Sequence, residues 1–358
     1  MTIRYADMFA GIGGFPLGLR QAFGEENIRF AYGCDCDKHA AATYLANFGH
    51  NVLGDIAGLD MSSLPDCDIV FGGFPCQPFS RNGKHYNSGR IKKDDKESLK
   101  IQDAEETRDE LYLHLVKLLR TKQPPRFLFE NVKGLQTIMD ESGDSYYDTI
   151  KRAFEGAGYS VHTKVLDTAD FGLPQQRKRL FFVGFRNDLS ARLGIRSFSW
   201  PDPIPRTSCI ANILERGVPS KYLLSNLWRR RICRKLKDDS GKPKVRLTAL
   251  QDAYDETIVP ETGKVVPLAI IYGDTPSGGP RQMDKLYSIA GISPTIATFS
   301  TPAIDAPSGW RILTPRECAR LQGFPDSFRL PSTDAQAYKQ VGNAVSVATV
   351  AAIVRKMF

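Results

Sequence analysis

Strand and helix signals alternate through the first half of this chain, and this order constrains its fold more than any other feature. Short apolar runs at residues 3–9 and 68–71 predict buried strands, and each is followed by a polar or glycine-rich loop. Repeated strand–loop–helix units of this kind are typical of a doubly wound α/β sheet. The sequence predicts further strands at 29–34, 51–53, 127–129, 161–166 and 180–185 and helices at 15–23, 37–48, 109–122 and 145–157.

The chain changes character after residue 186. Prolines stand at 201, 203 and 205, basic residues accumulate, and no clean period persists to about residue 300, which predicts a second domain of uncertain fold. The helical signal returns at 314–321, where Thr314 suits an N-cap and Pro315 the first helical position. A last helix is predicted from about 344 to 357.

The composition is that of an ordinary soluble globular protein. With 358 residues, 42% hydrophobic and 25% charged, the chain can form one large or two moderate domains. No stretch approaches the roughly 18 apolar residues of a membrane span, and the start has no signal-peptide pattern, so we expect a cytoplasmic protein without membrane contact. Seven scattered cysteines argue against a disulfide framework, and no second pair joins Cys34 and Cys36 to form a metal site.

The net charge of +8 and the pI of about 9.0 hint at a polyanionic partner. Basic residues crowd the segment 229–246, which reads either as a solvated surface or as a strip that contacts phosphates. The arginines that carry this alternative are Arg229, Arg230, Arg231 and Arg234.

A cysteine stands between two prolines directly after the predicted strand at 68–71. Pro75 and Pro78 fix their own φ and favour extended neighbours, so Cys76 should lie on a stiffened loop that faces a cleft. Most free cysteines are small buried hydrophobes, and this remains the alternative. The position after a buried strand favours a reactive thiol. The stretch at 84–108 that follows is too polar to form core.

The loop after the first strand reads Phe9-Ala10-Gly11-Ile12-Gly13-Gly14. Glycines there let the backbone approach a ligand, although the same pattern is often only structural. The acid Asp35 ends the second predicted strand, where it can accept hydrogen bonds from ribose hydroxyls, and Asp55 can take an adenine amino proton. These residues predict a site for a nucleoside cofactor.

Two further polar groups follow predicted strands or lead into them. Glu130 comes just after the strand at 127–129, and an unpaired buried carboxylate there would be costly, so we expect it to meet a ligand. The basic turn Gln175-Gln176-Arg177-Lys178-Arg179 leads into the strand at 180–185 and is, as the alternative, a solvated hairpin.

Together these motifs resemble the DNA (cytosine-5) methyltransferases of bacterial restriction-modification systems. The resemblance runs from residue 7 to the C-terminus except for roughly 190–290. Its motifs, in the family's order, are Gly72 to Ser80, Glu130-Asn131-Val132, Gln175-x-Arg177-x-Arg179, Arg316-Glu317-x-Ala319-Arg320-Leu321-x-Gly323-Phe324-Pro325 and Gln340-Val341-Gly342-Asn343-Ala344-Val345.

The resemblance implies a covalent mechanism. Cys76 attacks carbon 6 of cytosine, Glu130 holds the exocyclic amine and supplies a proton at ring nitrogen 3, and Arg179, with Arg177, holds the carbonyl oxygen. S-adenosylmethionine is the implied methyl donor, and no metal is implied. The implied cofactor-binding residues are Phe9, Gly11, Gly13, Asp35, Asp55, Ile56, Pro75, Asn343 and Val345. Asp35 departs from the family, which usually carries a glutamate at the ribose position.

The resemblance also implies a fold and a partner. The fold is a Rossmann-like methyltransferase sheet at 1–186 plus about 335–358, with a smaller target-recognition domain and hinge at about 187–334. Double-stranded DNA is the implied substrate, with the cytosine rotated out of the duplex, and Ser80 and the loop after it are implied to clamp the opened site. The stretch at 84–108 is longer than that loop usually is in the family, so we predict that it is mobile or separately folded without DNA. We expect a nucleoid-associated monomer that shares its site with a cognate restriction endonuclease, and a final helix that packs back into the first domain.

Three alternatives stay open. A branch with the same core methylates tRNA, although a separate, basic second domain favours duplex DNA. A catalytically silent DNA-binding relative would keep the fold without needing Cys76, Glu130 and Arg179. A nicotinamide oxidoreductase is a remote third, because the cysteine loop would have no purpose in it.

Overall fold

The computed structural model describes residues 2–75, 111–139, 143–224, 263–270, 285–298 and 301–358. Contacts divide the chain into two compact units. Unit 1 comprises Met1–Leu166, Lys178–Pro201 and Val350–Phe358, and unit 2 comprises Asp167–Arg177 and Asp202–Thr349. In the described part of the chain no helix is long and apolar enough to cross a membrane.

Unit 1 is built on a six-stranded sheet with the order β2-β1-β3-β4-β6-β5. Neighbours from β2 to β4 run parallel, and β6 is antiparallel to β4. The strands are β1 Ile3–Met8, β2 Ile28–Cys34, β3 Ile69–Gly72, β4 Arg126–Val132, β5 Tyr159–Asp167 and β6 Lys178–Arg186. The described helices of unit 1 up to Pro201 are α1 Gly14–Phe23, α2 Lys38–Phe48, α3 Leu111–Lys122, α4 Tyr146–Glu155 and α5 Asn187–Leu193. The α/β class predicted from the sequence is confirmed.

Side-chain caps fix where two of these helices begin. The carboxylate of Asp37 accepts from the backbone N–H groups of His39 and Ala40 at the start of α2, and the Ser145 hydroxyl accepts from Asp148 N in α4. Such caps satisfy donors that have no partner within the helix and are worth about 1 kcal/mol each. The predicted helix starts at 37 and 145 are therefore the capping residues themselves.

The core of unit 1 contains a cluster of aromatic rings on the strands and α4. Phe127 and Phe129 stack with ring centroids 4.4 Å apart, and both pack against Phe154 at 5.3 and 5.2 Å. All three side chains are fully buried. Removing one such ring from a core costs about 3–5 kcal/mol, so this cluster is a main source of the sheet's stability.

The strand predicted at 51–53 is wrong. These residues form only an isolated bridge in which Leu53 pairs with Asp35. The pairing stops there because β2 already ends at Cys34 and the chain turns at Gly54, whose N–H donates to the Asp35 carbonyl at 3.1 Å.

Unit 2 contains a four-stranded sheet with the order β10-β9-β8-β7, which the sequence did not reveal. Its strands are β7 Pro267–Ile270, β8 Lys285–Ser288, β9 Ala303–Ala306 and β10 Gly309–Ile312, and its helices are α6 Pro315–Leu321 and α7 Asp334–Asn343. Thr314 caps α6 as predicted, in a reciprocal capping box with Glu317.

The last helix, α8 Val347–Met357, ends in unit 1. The Arg126 guanidinium donates to the Met357 carbonyl at 2.9 Å, and Arg355 donates to the carbonyl of Gln21 at 2.8 Å. Residues 350–358 thus belong to unit 1, whereas residues 335–349 belong to unit 2. The assignment of the remaining boundaries to a recognition domain and hinge stays a prediction.

Candidate active site

The loop between β1 and α1 has an unusual backbone. Phe9, Gly11 and Gly13 all have positive φ, at 53°, 54° and 85°. A Cβ on residue 13 would lie 2.2 Å from Cε2 of Phe48, so only glycine fits there, whereas a Cβ on residue 11 would meet nothing within 4 Å. A positive φ at a phenylalanine is strained and persists only where the surroundings hold it. The loop therefore leaves open space at Gly11 beside a fixed aromatic residue.

Asp35 ties this loop to the end of β2. One carboxylate oxygen accepts from Gly11 N at 2.7 Å, and the other accepts from Asp37 N at 2.8 Å. A carboxylate has about four lone-pair sites and can accept several hydrogen bonds at once. The acid predicted to bind ribose thus also shapes the glycine loop.

Leu53 forms a β-bridge with Asp35, and this bridge brings Asp55 and Ile56, two and three residues further along the chain, close to Asp35. Asp55 is exposed and caps a short 3-10 turn by accepting from Ala57 N at 3.0 Å, whereas Ile56 is buried. Pro75, half-buried, follows β3, whose residue Gly72 pairs with Met8 of β1. The structure therefore gathers all the cofactor candidates of unit 1 at the carboxyl edge of its parallel strands.

Beneath this edge lies an acid that the motifs did not reveal. Asp7 of β1 is fully buried, and the polar group that faces its carboxyl group is the hydroxyl of the equally buried Tyr44. Burial, then the nearby charge of Asp35, raises the pKa of Asp7 well above its usual range, and the hydroxyl of Tyr44 offsets part of this. The available signal was a charged residue on the same strand face as the buried Tyr5.

Replacing Asp7 by asparagine should flatten the pH dependence of stability. The folded protein keeps a proton that the unfolded chain releases near pH 3.9, so the wild type loses stability as pH rises toward the raised folded pKa. The asparagine of the Asp7→Asn variant does not titrate. The free energy of unfolding of this variant should therefore rise relative to that of the wild type by up to about 1.4 kcal/mol per pH unit. Urea unfolding from pH 5 to 8 measures this difference. If the free energies of unfolding of the wild type and the variant changed in parallel with pH, Asp7 would be charged in the folded protein.

Glu130 and Arg179 form an ion pair where β4 and β6 lie side by side. Arg179 Nε is 3.0 Å from Glu130 Oε1, with only 18% and 14% of the side chains exposed. A Cβ on Gly73 would lie 3.8 Å from Glu130 Oε2. The carboxylate therefore stands beside the loop that leads from β3 toward Cys76.

Arg177, which stands two residues before Arg179 in the same motif, has different surroundings. It belongs to unit 2, and its buried guanidinium donates to the carbonyls of Ile296, Gly342 and Ala344. The two arginines thus bind different partners, and a role for Arg177 at the cytosine stays a prediction. Asn343 ends α7 with an exposed side chain, and Val345 is buried in the same unit.

The remaining candidates lie outside the described residues. They are Cys76, Ser80, Arg229, Arg230, Arg231 and Arg234, together with the proposed clamp at 84–108. Within the described ranges, no group of three or more His, Cys, Asp or Glu side chains could hold a metal ion.

The chain is similar to known methyltransferases over nearly its whole length. The chain is 36% identical to the Type II methyltransferase M.NlaX of Neisseria lactamica, over 98% of this chain and 95% of that protein. It is 31% identical to the Type II methyltransferase M.HhaI of Haemophilus parahaemolyticus, over 96% and 91% of the two chains. The solved Entamoeba histolytica methyltransferase EhMeth shares the fold, with a TM-score of 0.68 and 17% identity over 100% of this chain and 98% of that one.

A family model described as C-5 cytosine-specific DNA methylase matches residues 3–358. That match spans both units and every motif on which the resemblance was based. The chain belongs to the C-5 cytosine-specific DNA methylase family.

Proposed function

We propose that this chain transfers a methyl group from S-adenosylmethionine to carbon 5 of a cytosine within a specific sequence of duplex DNA. The observation that carries the proposal is the pair of Glu130 and Arg179 beside Gly73, three residues before Cys76. This pair is complementary to one edge of a cytosine ring. The acid can bind the exocyclic amine and the ring nitrogen, and the guanidinium can donate to the carbonyl oxygen. Family membership supports the reaction class.

Cys76 acts as the nucleophile because carbon 5 of cytosine is too weakly nucleophilic to react directly. The thiolate electron pair forms a bond to carbon 6, and the carbon 5–carbon 6 double bond shifts to carbons 4 and 5. The carbon 4–nitrogen 3 double bond opens, and its electron pair takes a proton at ring nitrogen 3. When bound, S-adenosylmethionine supplies the electrophilic methyl group for carbon 5. As carbon 5 takes the methyl group, the carbon 4–nitrogen 3 double bond re-forms and nitrogen 3 returns its proton to Glu130. A base then removes the carbon 5 proton, the carbon 5–carbon 6 double bond re-forms, and the thiolate leaves.

Glu130 and Arg179 lower the energy of the adduct. Glu130 accepts from the exocyclic amine and delivers the proton to ring nitrogen 3, and Arg179 donates to the carbonyl oxygen as negative charge develops. Their 3.0 Å contact fixes both groups before the base arrives, so little reorganisation is needed during the reaction.

The cofactor residues of unit 1 fit a nucleoside with a charged tail. Gly11 offers open main chain for the methionine end together with Gly13, and Phe9 offers a ring face for adenine. The Asp35 carboxylate, which accepts from Gly11 N, accepts from the ribose hydroxyls. Asp55 presents an exposed carboxylate to the adenine amine. Ile56, Pro75, Asn343 and Val345 complete the proposed set.

Duplex DNA is the proposed substrate, and the cytosine leaves the base stack for reaction because carbon 5 is otherwise out of reach of a thiol. Ser80 contacts the opened site, and the arginines of segment 229–246 contact phosphates or base edges. We further propose a cytoplasmic, nucleoid-associated monomer that protects the site of a cognate restriction endonuclease. Residues of about 187–334 serve as the target-recognition region.

A transfer assay tests the proposal directly. The purified chain is incubated with methyl-labelled S-adenosylmethionine and either duplex DNA or tRNA, and DNA from cells that express the chain is sequenced after bisulfite treatment. We expect label in DNA alone and methylcytosine at one recurring sequence. Label in tRNA alone would reassign the substrate, and binding to DNA without transfer would identify a silent relative.

A further inference from the structure

The guanidinium of Arg177 is almost completely enclosed in unit 2. Its side chain is 2% exposed and donates to Ile296 O at 3.1 Å and to Gly342 O and Ala344 O at 3.0 Å each. The last two acceptors flank Asn343. Three charge-assisted bonds to backbone carbonyls fix the path of a main chain more firmly than neutral bonds do.

We propose that Arg177 is a positioning residue that fixes the turn presenting Asn343, and that it does not contact the cytosine. The inference rests on the proposed function, in which Asn343 binds the cofactor. It separates the two arginines of the Gln-x-Arg-x-Arg motif by role. Arg179 pairs with Glu130 for the reacting base, whereas Arg177 acts through Asn343.

Other buried groups hold the same turn. The Gln322 side-chain amide donates to Val341 O and Ala344 O at 3.2 Å each. Gly342 lies so close to a neighbouring backbone that a Cβ there would be 2.6 Å from the carbonyl carbon of Ala297. The turn is therefore fixed through its main chain.

The side chains along the turn differ in a way that suits a ligand contact. Gly342 and Ala344, on either side of Asn343, are buried, and so are Val341 and Val345, whereas Asn343 itself is exposed. A single exposed amide on a firmly held, otherwise buried turn has both a defined position and access to solvent. Rigid support of this kind is what a binding residue needs, because small displacements of a contact cost much of its effect.

The inference also explains why Gln175 belongs to the motif. Its side-chain oxygen accepts from Ile296 N at 3.1 Å, and its amide donates to Leu321 O at 3.0 Å. It thereby anchors Ile296, whose carbonyl is the third acceptor of Arg177. The first two named residues of the motif thus support one buried network in unit 2.

The test compares Arg177→Gln with Arg316→Gln in two readouts that do not require turnover. Arg316 is a matched control because it donates to two carbonyls of another turn in unit 2, Pro325 O at 3.3 Å and Phe328 O at 2.7 Å. Calorimetric titration measures S-adenosylmethionine affinity, and hydrogen exchange measures protection at 341–345. We expect Arg177→Gln to lower affinity about tenfold and to speed exchange at the turn, with neither change in Arg316→Gln.

The outcomes separate this inference from the proposed function. If the wild type does not bind S-adenosylmethionine, the function fails, and the exchange data alone decide whether Arg177 fixes the turn. If Arg177→Gln binds the cofactor normally with unchanged exchange and loses only transfer, Arg177 contacts substrate and the inference is overturned. Should Arg177→Gln not fold, Arg177→Lys decides by the same readouts, because one ammonium cannot replace the guanidinium's spread of donors.

Discussion

Replacing Cys76 by alanine should abolish methyl transfer while S-adenosylmethionine still binds. Without a thiolate to add at carbon 6, carbon 5 of the cytosine gains no electron density and cannot accept a methyl group. Loss of a catalytic nucleophile lowers turnover by roughly 10⁴-fold or more in other enzymes, and we expect an effect of that size here. Single-turnover transfer to duplex DNA measures the loss, and calorimetry measures cofactor binding.

Cys67→Ala is the matched control for this experiment. Cys67 is a buried thiol of unit 1 whose sulfur lies 3.7 Å from the Tyr32 hydroxyl, and it has no part in the proposed chemistry. Its removal should cost about 1 kcal/mol of stability and leave the transfer rate nearly unchanged. A Cys76→Ala protein that methylates DNA at the wild-type rate would rule out the covalent mechanism.

Glu130→Gln should lower the rate of methyl transfer by roughly 10²–10⁴-fold, the range that general acid catalysis contributes. The amide keeps the size of the acid but cannot deliver a proton to ring nitrogen 3, and it removes the charge that faces Arg179 at 3.0 Å. Because the cofactor residues of unit 1 are unchanged, affinity for S-adenosylmethionine should stay close to that of the wild type. Single-turnover kinetics at saturating DNA isolate the chemical step.

Glu155→Gln provides the comparison for a lost glutamate charge. Glu155 pairs with Lys151 one helical turn away on α4, and ion pairs of this spacing on a partly exposed helix face contribute little to stability. We expect no change in transfer from this variant. If Glu130→Gln kept nearly full activity, or if Glu155→Gln lost as much, the acid of the proposed mechanism would have to be sought elsewhere.

The sequence predicted the sheet of unit 1 well because its strands are apolar runs with glycine or polar stops. It missed the sheet of unit 2, whose four described strands have four residues each, too few for a period to be visible. It also missed α7. The buried residues of this helix are Ala337, Gln340, Val341 and Gly342, and two apolar side chains, those of Ala337 and Val341, are too few to show a helical period. Secondary-structure elements that are stabilised mainly by packing against segments far away in the sequence show little periodicity or propensity in their own residues.

At the candidate active site, the sequence predicted which residues are candidates, but it did not predict which groups they contact. The motifs identified Asp35 and Arg177 as candidate site residues. Their positions in the sequence do not indicate that Asp35 accepts from Gly11 N, or that Arg177 donates to the carbonyl of Ile296, which is 119 residues away from it. The buried Asp7 belongs to no chemical pattern and emerged only from its complete enclosure. Interactions between distant segments are set by packing, which a single sequence does not display.

The most direct test of the covalent mechanism traps the cysteine on its substrate. Duplex DNA with 5-fluorocytosine at the methylated position carries fluorine in place of the proton that the base must remove, so elimination cannot release the enzyme after methyl transfer. We expect a stable protein–DNA adduct that forms only with S-adenosylmethionine present and that peptide mass spectrometry locates at Cys76. Methylation of ordinary DNA at that site without any adduct on the fluorinated duplex, or an adduct on another residue, would contradict the mechanism.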